Sequence, residues 1–439
     1  MKKTLLITCM TLLLAACGNE NQVSKTQPVK NIIMVVSDGT GPAYTTAYRY
    51  YNDDPTTETI EETVFDRHLV GMASTYPARV SGYVTDSAAA ATALSTGIKS
   101  YNGAIGVDVN KQPIQTVLEY AKLTGKKTGV VVTSQINHAT PASYLAHNES
   151  RKNYDAIANS YIDDGIKADV YLGGGWEYFI RDDRNLVEEF KTAGFQYVDN
   201  YDQLGSLKAN TPVLGLFDKV GLPWALDDKH PNRLSIMTKA AIKQLENDNG
   251  YFMLIEASQV DWAGHGNDIA SAMTEINDLA ITMEYLEEYV KLHPDTLVIL
   301  TADHSTGGLT IAADGKYEWN PEFLRTMTES ATSIANKLIA TDITKSFVEE
   351  LLHFSVSDEE VNRLQQAKIE QQTSTFEYNP PVYNAVKAII DKRTNTGWTT
   401  SGHTGVDVQV FAMGANTDMF KGIIDNTDIA KNIFTLLGR

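Results

Sequence analysis

The chain has little cysteine: of its 439 residues only two are Cys, Cys9 and Cys17, both near the start. Beyond that point no disulfide and no thiolate metal site can form, so any cation must be held by His and carboxylate side chains. Positive charge is also scarce. Lys and Arg number 37 against 55 Asp and Glu, a formal net charge of −18, which argues against a nucleic-acid-binding surface. An anionic substrate would need a local positive field inside its site, such as bound metal ions provide. No stretch approaches the ~20 continuous apolar residues of a membrane span, and neither internal repeats nor low-complexity tracts occur. With 43% hydrophobic and 21% charged residues, the composition is that of a globular chain. It is long enough for one large α/β domain with insertions or for two ordinary domains.

The first residues read as a targeting segment. Met1-Lys2-Lys3 is basic, Thr4 to Leu14 is apolar but too short to span, and Leu14-Ala15-Ala16-Cys17 follows. Small residues before a Cys resemble the bacterial lipobox. Residues 1–16 are therefore expected to be a lipoprotein signal peptide, with Cys17 acylated and residues 17–29 a polar tether. The product would be an exported protein, periplasmic or at the cell surface, anchored to a bacterial membrane by acyl chains. An ordinary secretory signal cleaved nearby is the alternative.

From Asn31 onward, apolar runs of strand length alternate with helical patterns. Ile32–Val36, Thr128–Thr133, Tyr251–Ile255 and Thr296–Leu300 are continuous apolar runs of the kind that form buried parallel strands. Between them lie Ile114–Leu123, Tyr154–Asp163, Leu186–Ala193 and Ala270–Leu292, which read as helices. The fold class predicted is α/β, a large, mostly parallel central sheet with helices on both faces. Residues 30–439 would form a single domain. The stretch from about 312 to 396 is charged and helical (Thr328–Leu338, Thr344–His353, Asp358–Gln372) and lacks apolar strand runs, so it is expected to be an insertion forming a lid or a subunit contact.

The run Val84 to Gly97, V-T-D-S-A-A-A-A-T-A-L-S-T-G, is a strong helix former that would begin at Asp86-Ser87. A serine there is either an N-cap or a nucleophile facing the anion site that free helix N–H groups create. A nucleophilic serine needs activation from elsewhere. In open α/β sheets ligands bind beyond the carboxyl ends of the strands, and those positions hold Asp38 after the first run, His138 and Thr140 after the second, Glu256, Asp261 and His265 after the third, and Asp303-His304 after the fourth. His403 lies in S-G-H-T-G before the alternating Val406–Met413. Singly, each such residue reads as a cap or a satisfied polar group. Together they use four of the nine histidines. Asp261 and His265, four apart, would share a helix face and suit one zinc, whereas Thr140 and Glu256 suit a harder cation such as magnesium. Paired cations beside a helix-N-terminal serine fit in-line phosphoryl transfer, with Arg151 as a candidate clamp for the non-bridging oxygens.

The segments V-S-D-G-T-G, T-D-S-A-A-A-A-T-A, E-A-S-Q-V-D-W-A-G-H, T-A-D-H-S-T-G-G and S-G-H-T-G, in this order, resemble the alkaline phosphatase family. The resemblance implies hydrolysis of phosphate monoesters through a phosphoserine at Ser87, with Arg151 gripping the phosphate. It implies a first zinc on Asp261, His265 and His403, and a second on Asp303 and His304. Asp38 would bridge the second zinc to a magnesium also held by Thr140 and Glu256. A homodimer with the insertion as a crown near the active sites is also implied. Where some members carry Asp and Lys, this chain has His138 and Trp262, so the third site could hold zinc or stand vacant, and a cation near the phosphate is missing. Asp86 is expected to orient either the helix start or Arg151. Two other readings stay open: a phosphodiesterase, mutase or sulfatase on the same scaffold, though no C/S-x-P-x-R motif is present, and a surface lipoprotein that binds metal or phosphate without turnover.

Overall fold

The computed structural model describes residues 28–373 and 380–439. Cys9, Cys17, the apolar leader and nearly all of the tether lie outside the described residues.

Fourteen strands occur among the described residues: β1 Asn31–Ser37, β2 Leu69–Ser74, β3 Lys127–Gln135, β4 Val170–Gly174, β5 Gln196–Val198, β6 Val213–Leu216, β7 Tyr251–Ala257, β8 Thr296–Thr301, β9 Ser305–Thr306, β10 Thr310–Ile311, β11 Thr396–Gly397, β12 His403–Thr404, β13 Val408–Gly414 and β14 Gly422–Asp425. Ten of them form one sheet in the order β14-β2-β13-β8-β1-β7-β3-β4-β6-β5. Only β13 runs against the others, antiparallel to both β8 and β2. Its amino end therefore lies where its neighbours' carboxyl ends lie.

The four apolar runs expected as buried strands are β1, β3, β7 and β8, at the centre of the sheet. Alternate side chains feed two cores, one on each face: Ile33, Val35, Met253 and Ile255 on one side, Ile32, Met34, Val36, Phe252 and Leu254 on the other. Both faces are covered, so these strands need no polar alternation. β4, β5, β6, β2 and β14 were not anticipated. They have three to six residues, and glycine interrupts four of them, which leaves too little periodicity to read.

The helices expected from Tyr154, Leu186 and Asp358 start at those residues, and two others start three residues later than expected because of their caps. The helix expected from Ile114 begins at Val117, because Thr116 and Glu119 make a reciprocal capping box. The helix expected from Thr328 begins at Ala331, with Ser330 as its cap and Asp227 accepting from the Ser330 amide and hydroxyl at 2.8 and 2.7 Å. The alanine-rich helix runs Ser87–Thr96 and is buried along its whole length. Its small side chains let it lie close to the helix Ala139–Leu145, where Ser95 Oγ reaches the carbonyl of Ser143 at 2.7 Å. Gly97, at φ 74°, ends it in a left-handed turn.

The segment between β10 and β11 carries five helices among the described residues: Glu322–Arg325, Ala331–Ala340, Lys345–Leu352, Asp358–Thr373 and Pro381–Thr394. β10 and β11 pair antiparallel, bringing the two ends of this excursion together. Its last helix touches the helix Gln259–Gly266, where Lys387 Nζ donates to the Gly266 carbonyl. No helix among the described residues is long and apolar enough to cross a membrane.

Candidate active site and metal centre

Each residue singled out at a strand end lies on one side of the sheet. Asp38 follows β1, and Gly39 after it, at φ 73°, passes so close to Asp261 that a Cβ would sit 2.6 Å from that residue's Cα. The Gly39 amide donates to Asp303 Oδ1 at 3.1 Å, and the His304 amide does so at 2.9 Å. Glu256 is the penultimate residue of β7, which leads into the helix Gln259–Gly266 bearing Asp261 and His265 one turn apart. β12 pairs with β9 so that His403 faces Thr306, and this two-residue ladder stacks the rings of His403 and His304 at 3.6 Å between centroids.

Ser87 opens the alanine helix with its Oγ 3.1 Å from His304 Nε2. The N-cap is Asp86, whose Oδ1 accepts from the amides of Ala89 and Gly103, each at 3.0 Å. Its other oxygen accepts from Arg151 Nη1 at 3.1 Å. Asp86 thus serves both roles that the sequence left open, helix start and arginine holder, and Ser87 is free of capping duty. Arg151 Nη2 donates to His138 Nε2 at 3.2 Å, and His138 forms a T-shaped pair with Trp262 at 5.9 Å between ring centroids.

The donor set fits divalent cations, and the hydrogen-bond network shows why. His265 Nδ1 lies 2.6 Å from the Ser401 carbonyl and His403 Nδ1 2.8 Å from the Thr85 carbonyl. Those nitrogens must be the donors, so in the neutral rings both Nε2 atoms carry lone pairs. The two Nε2 atoms face each other at 3.1 Å, with Asp261 Oδ2 3.3 Å from that of His265. His304 is set in the same way through Thr306, whose hydroxyl donates to Asp261 Oδ1 at 2.5 Å and sits 3.2 Å from His304 Nδ1. Lone pairs and carboxylates converging like this repel unless a cation lies among them.

Other orphaned atoms point the same way. Among the described residues both carboxylate oxygens of Asp38, Glu256 Oε1, Asp303 Oδ2 and Thr140 Oγ1 are buried without a hydrogen-bond partner. Three groups bring ligand atoms within 4.8 Å of one another: Asp261, His265 and His403; Asp38, Asp261 and His304; and Asp38, His138 and Glu256. For the polypeptide alone, burial and then the neighbouring charge of Asp303 push the Asp38 carboxyl well above its usual range. Burial likewise lifts Glu256 to about 7. Burial opposes ionisation of Asp261 too, but its histidine neighbours outweigh it and hold that carboxyl well below the usual range. His138 is pushed down to about 3 by burial and by Arg151. It is therefore neutral, and because a guanidinium only donates, the ring proton sits on Nδ1.

The structure also brings in residues to which the sequence reading gave no role. Thr306 links Asp261 to His304, and the carbonyls of Thr85 and Ser401 fix two histidine tautomers. Thr306 lies inside a quoted segment, T-A-D-H-S-T-G-G, but its link depends on β9–β12 pairing, which no local pattern announces.

The convergence of imidazoles, carboxylates and a serine hydroxyl at the carboxyl edge of this sheet defines a metal-dependent hydrolase of the α/β class. A sequence profile of the alkaline phosphatase family matches residues 29–438. Alkaline phosphatase 3 of Bacillus subtilis is 44% identical over 431 residues, covering 96% of this chain and 92% of its own length. The crystal structure of a cold-active alkaline phosphatase from a psychrophilic Shewanella sp. is 52% identical with a TM-score of 0.88, covering 93% of this chain and all of the other. The alkaline phosphatase of the Antarctic bacterium TAB5 is 27% identical with a TM-score of 0.69, covering 94% of this chain and 99% of the other. The chain belongs to the alkaline phosphatase family, and it is a phosphomonoester hydrolase.

Asp86 gives a prediction that separates its two roles. Asp86→Ala should lose the cap, worth about 1 kcal/mol, together with the grip on Arg151, so thermal stability should fall, and with it affinity for inorganic phosphate on the role proposed below for Arg151. Asp86→Asn keeps a cap of similar quality but loses the charge pair. Its melting temperature should stay near wild type while its inhibition constant for phosphate rises about tenfold, toward the value for Ala. Equal melting points for the two variants would contradict the capping role.

Proposed function

We propose that the chain hydrolyses phosphate monoesters through a phosphoserine at Ser87. The observation carrying this reading is the Ser87 hydroxyl, 3.1 Å from His304 at the start of a ten-residue helix whose cap is a different residue. A first zinc would be held by Asp261, His265 and His403, and a second by Asp303 and His304. Asp38 would stand between the second zinc and a magnesium held with Thr140 and Glu256. Once bound, these ions supply positive charge that lowers the pKa of the serine hydroxyl and stabilises the leaving oxygen.

The polypeptide does the rest. Arg151, steadied by Asp86, donates to the non-bridging oxygens, and the first-turn amides not taken by Asp86 face the same anion. Ser87 Oγ, its proton released to solvent, attacks phosphorus as the bond to the alcohol oxygen breaks, and the departing oxygen takes a proton from water. Water then attacks the phosphoserine, the Oγ–P bond breaks, and phosphate leaves. While Arg151 donates to His138 Nε2, the proton on Nδ1 keeps that ring from acting as a ligand through Nδ1. A third ion would then be held by Asp38, Glu256 and Thr140.

The test is acid trapping: wild type incubated with labelled inorganic phosphate and quenched in acid should carry label on the peptide containing Ser87. Label elsewhere, or none in a metal-loaded active preparation, would refute the phosphoserine.

Trp262 stands where some family members place a cation. Trp262→Lys should tighten inhibition by inorganic phosphate by about five- to tenfold, as expected for one partly exposed charge near a dianion. Steady-state inhibition at fixed ionic strength measures this, and an unchanged constant would show that position 262 does not influence the phosphate.

We further propose that the mature protein begins at an acylated Cys17 and hangs from a bacterial membrane on a tether to about residue 29, facing the periplasm or the cell exterior. Residues 30–439 would be one catalytic domain with an insertion at about 312–396, working as a homodimer.

A further inference from the structure

We propose that the cavity over Ser87 binds the alcohol half of the ester as well as the phosphate, and that it selects monoesters whose alcohol carries a flat aromatic ring. This rests on Ser87 and Arg151 being the phosphate floor.

The cavity encloses about 810 Å³. That lies within the range of roughly 300–1,000 Å³ that holds whole small-molecule ligands, and it far exceeds what a phosphoryl group fills. Its floor is the metal and nucleophile cluster. Its walls are Trp262 and Tyr383 together with one face of the helix Ala331–Ala340, namely Thr332, Ala335, Asn336 and Ile339. Those four positions follow the i, i+3, i+4, i+7 spacing of a single helical stripe. Ala331, Ile334 and Leu338 on the adjoining face are buried in the core. The helix is therefore fixed in place and offers the cavity a defined surface.

In a chain of net charge −18, none of the described residues of these upper walls carries a charge. Two amphiphilic rings and short aliphatic side chains dominate, and the amide of Asn336 and the hydroxyl of Thr332 can meet polar substituents. Among the described residues of these walls a polyol or polyanionic alcohol finds no charged partner, whereas an aromatic ring finds area to cover.

Trp262 is also a rigid wall. It forms a T-shaped pair with His138 at 81° between ring planes. On another side it lies so close to Gly221 that a Cβ on that glycine would come within 2.4 Å of the indole. An indole held in this way offers a stacking surface at small entropic cost. It adjoins His138, which adjoins Arg151, so a ring lying on Trp262 belongs to a ligand whose phosphate is at the clamp.

The experiment compares 2-(1-naphthyl)ethyl phosphate with ethyl phosphate, two esters of alkyl alcohols with similar leaving-group acidity, on the zinc- and magnesium-loaded full chain. Wild type should favour the naphthyl ester in kcat/KM by tenfold or more, the scale on which apolar pockets discriminate. Trp262→Ala and Ile339→Asp should each reduce that ratio several-fold. Gly221→Ala, whose Cβ would press directly on the indole, should reduce it as well. Inhibition by 1-naphthylmethylphosphonate against methylphosphonate should show the same preference without turnover. A wild-type ratio within twofold of unity, or variants in which both esters fall in parallel and the phosphonate ratio holds, would overturn the proposal. Full turnover of both esters by Ser87→Ala would instead overturn the reading of the floor, leaving the selectivity ratios to be judged separately.

Discussion

Ser87→Ala is expected to lower kcat/KM for a phosphomonoester by about four orders of magnitude, the scale of losing a nucleophile while binding groups remain. The structure isolates this effect from stability. The helix cap is Asp86, so removing the Ser87 hydroxyl removes no cap. Four alanines follow in the same buried helix, and a fifth is compatible with its packing and raises its intrinsic helix preference. What disappears is the oxygen 3.1 Å from His304 Nε2. Melting temperature and metal content, measured by scanning calorimetry and elemental analysis, should match wild type within error, and single-turnover kinetics should show no burst. Activity within tenfold of wild type would mean that another group attacks phosphorus.

Stripping the ions with a chelator is expected to abolish turnover and also to lower the unfolding temperature by some ten degrees or more at pH 9, since metal binding free energy is folding free energy here. The gap between loaded and stripped protein should shrink steadily toward pH 5. The sign follows from the buried carboxyls. Glu256 is lifted from 4.5 to about 7 in the folded polypeptide, so the stripped fold holds its proton more tightly than the unfolded chain does. Its destabilising contribution is absent below the unfolded value, grows as pH rises between about 4.5 and 7, and is complete above that, at of order 3 kcal/mol. Asp38 is raised in the same sense. His265, although burial opposes its charge, is lifted to about 9 by Asp261, so protons also compete there with any ion until the solution is alkaline. A gap independent of pH would show that the ions do not occupy these groups.

The chemistry of this site was more legible in sequence than its architecture. Asp38, Glu256, Asp261, Asp303 and His304 each follow or end a continuous apolar run, and a parallel sheet brings such ends together by its construction. The spacing of Asp261 and His265 required only a helix, and Gln259–Gly266 supplies it. His403 was legible as a residue but not in its placement, which depends on β13 reversing direction and on a two-residue ladder to β9. Histidine tautomers set by carbonyls remote in sequence have no local signature at all. The cavity wall was hidden for another reason. Thr332, Ala335, Asn336 and Ile339 read as an ordinary mixed surface stripe until the excursion between β10 and β11 is seen to fold back over the nucleophile.

The reversal of β13 also bears on when the enzyme becomes an enzyme. The presumed ligands span the chain from Asp38 to His403, and His403 is carried by the segment that enters the sheet against the direction of its neighbours, between β8 and β2. A ribosome or a translocation channel delivers that segment late, after most of the parallel core has already been released. On the proposed assignment, the last imidazole would join the first metal group through a strand late in the sequence that pairs with two strands from earlier in the chain, a contact of high sequence separation. With His403 as a ligand, as proposed above, a chain that lacks β13 and the segment leading into it also lacks a complete first metal group.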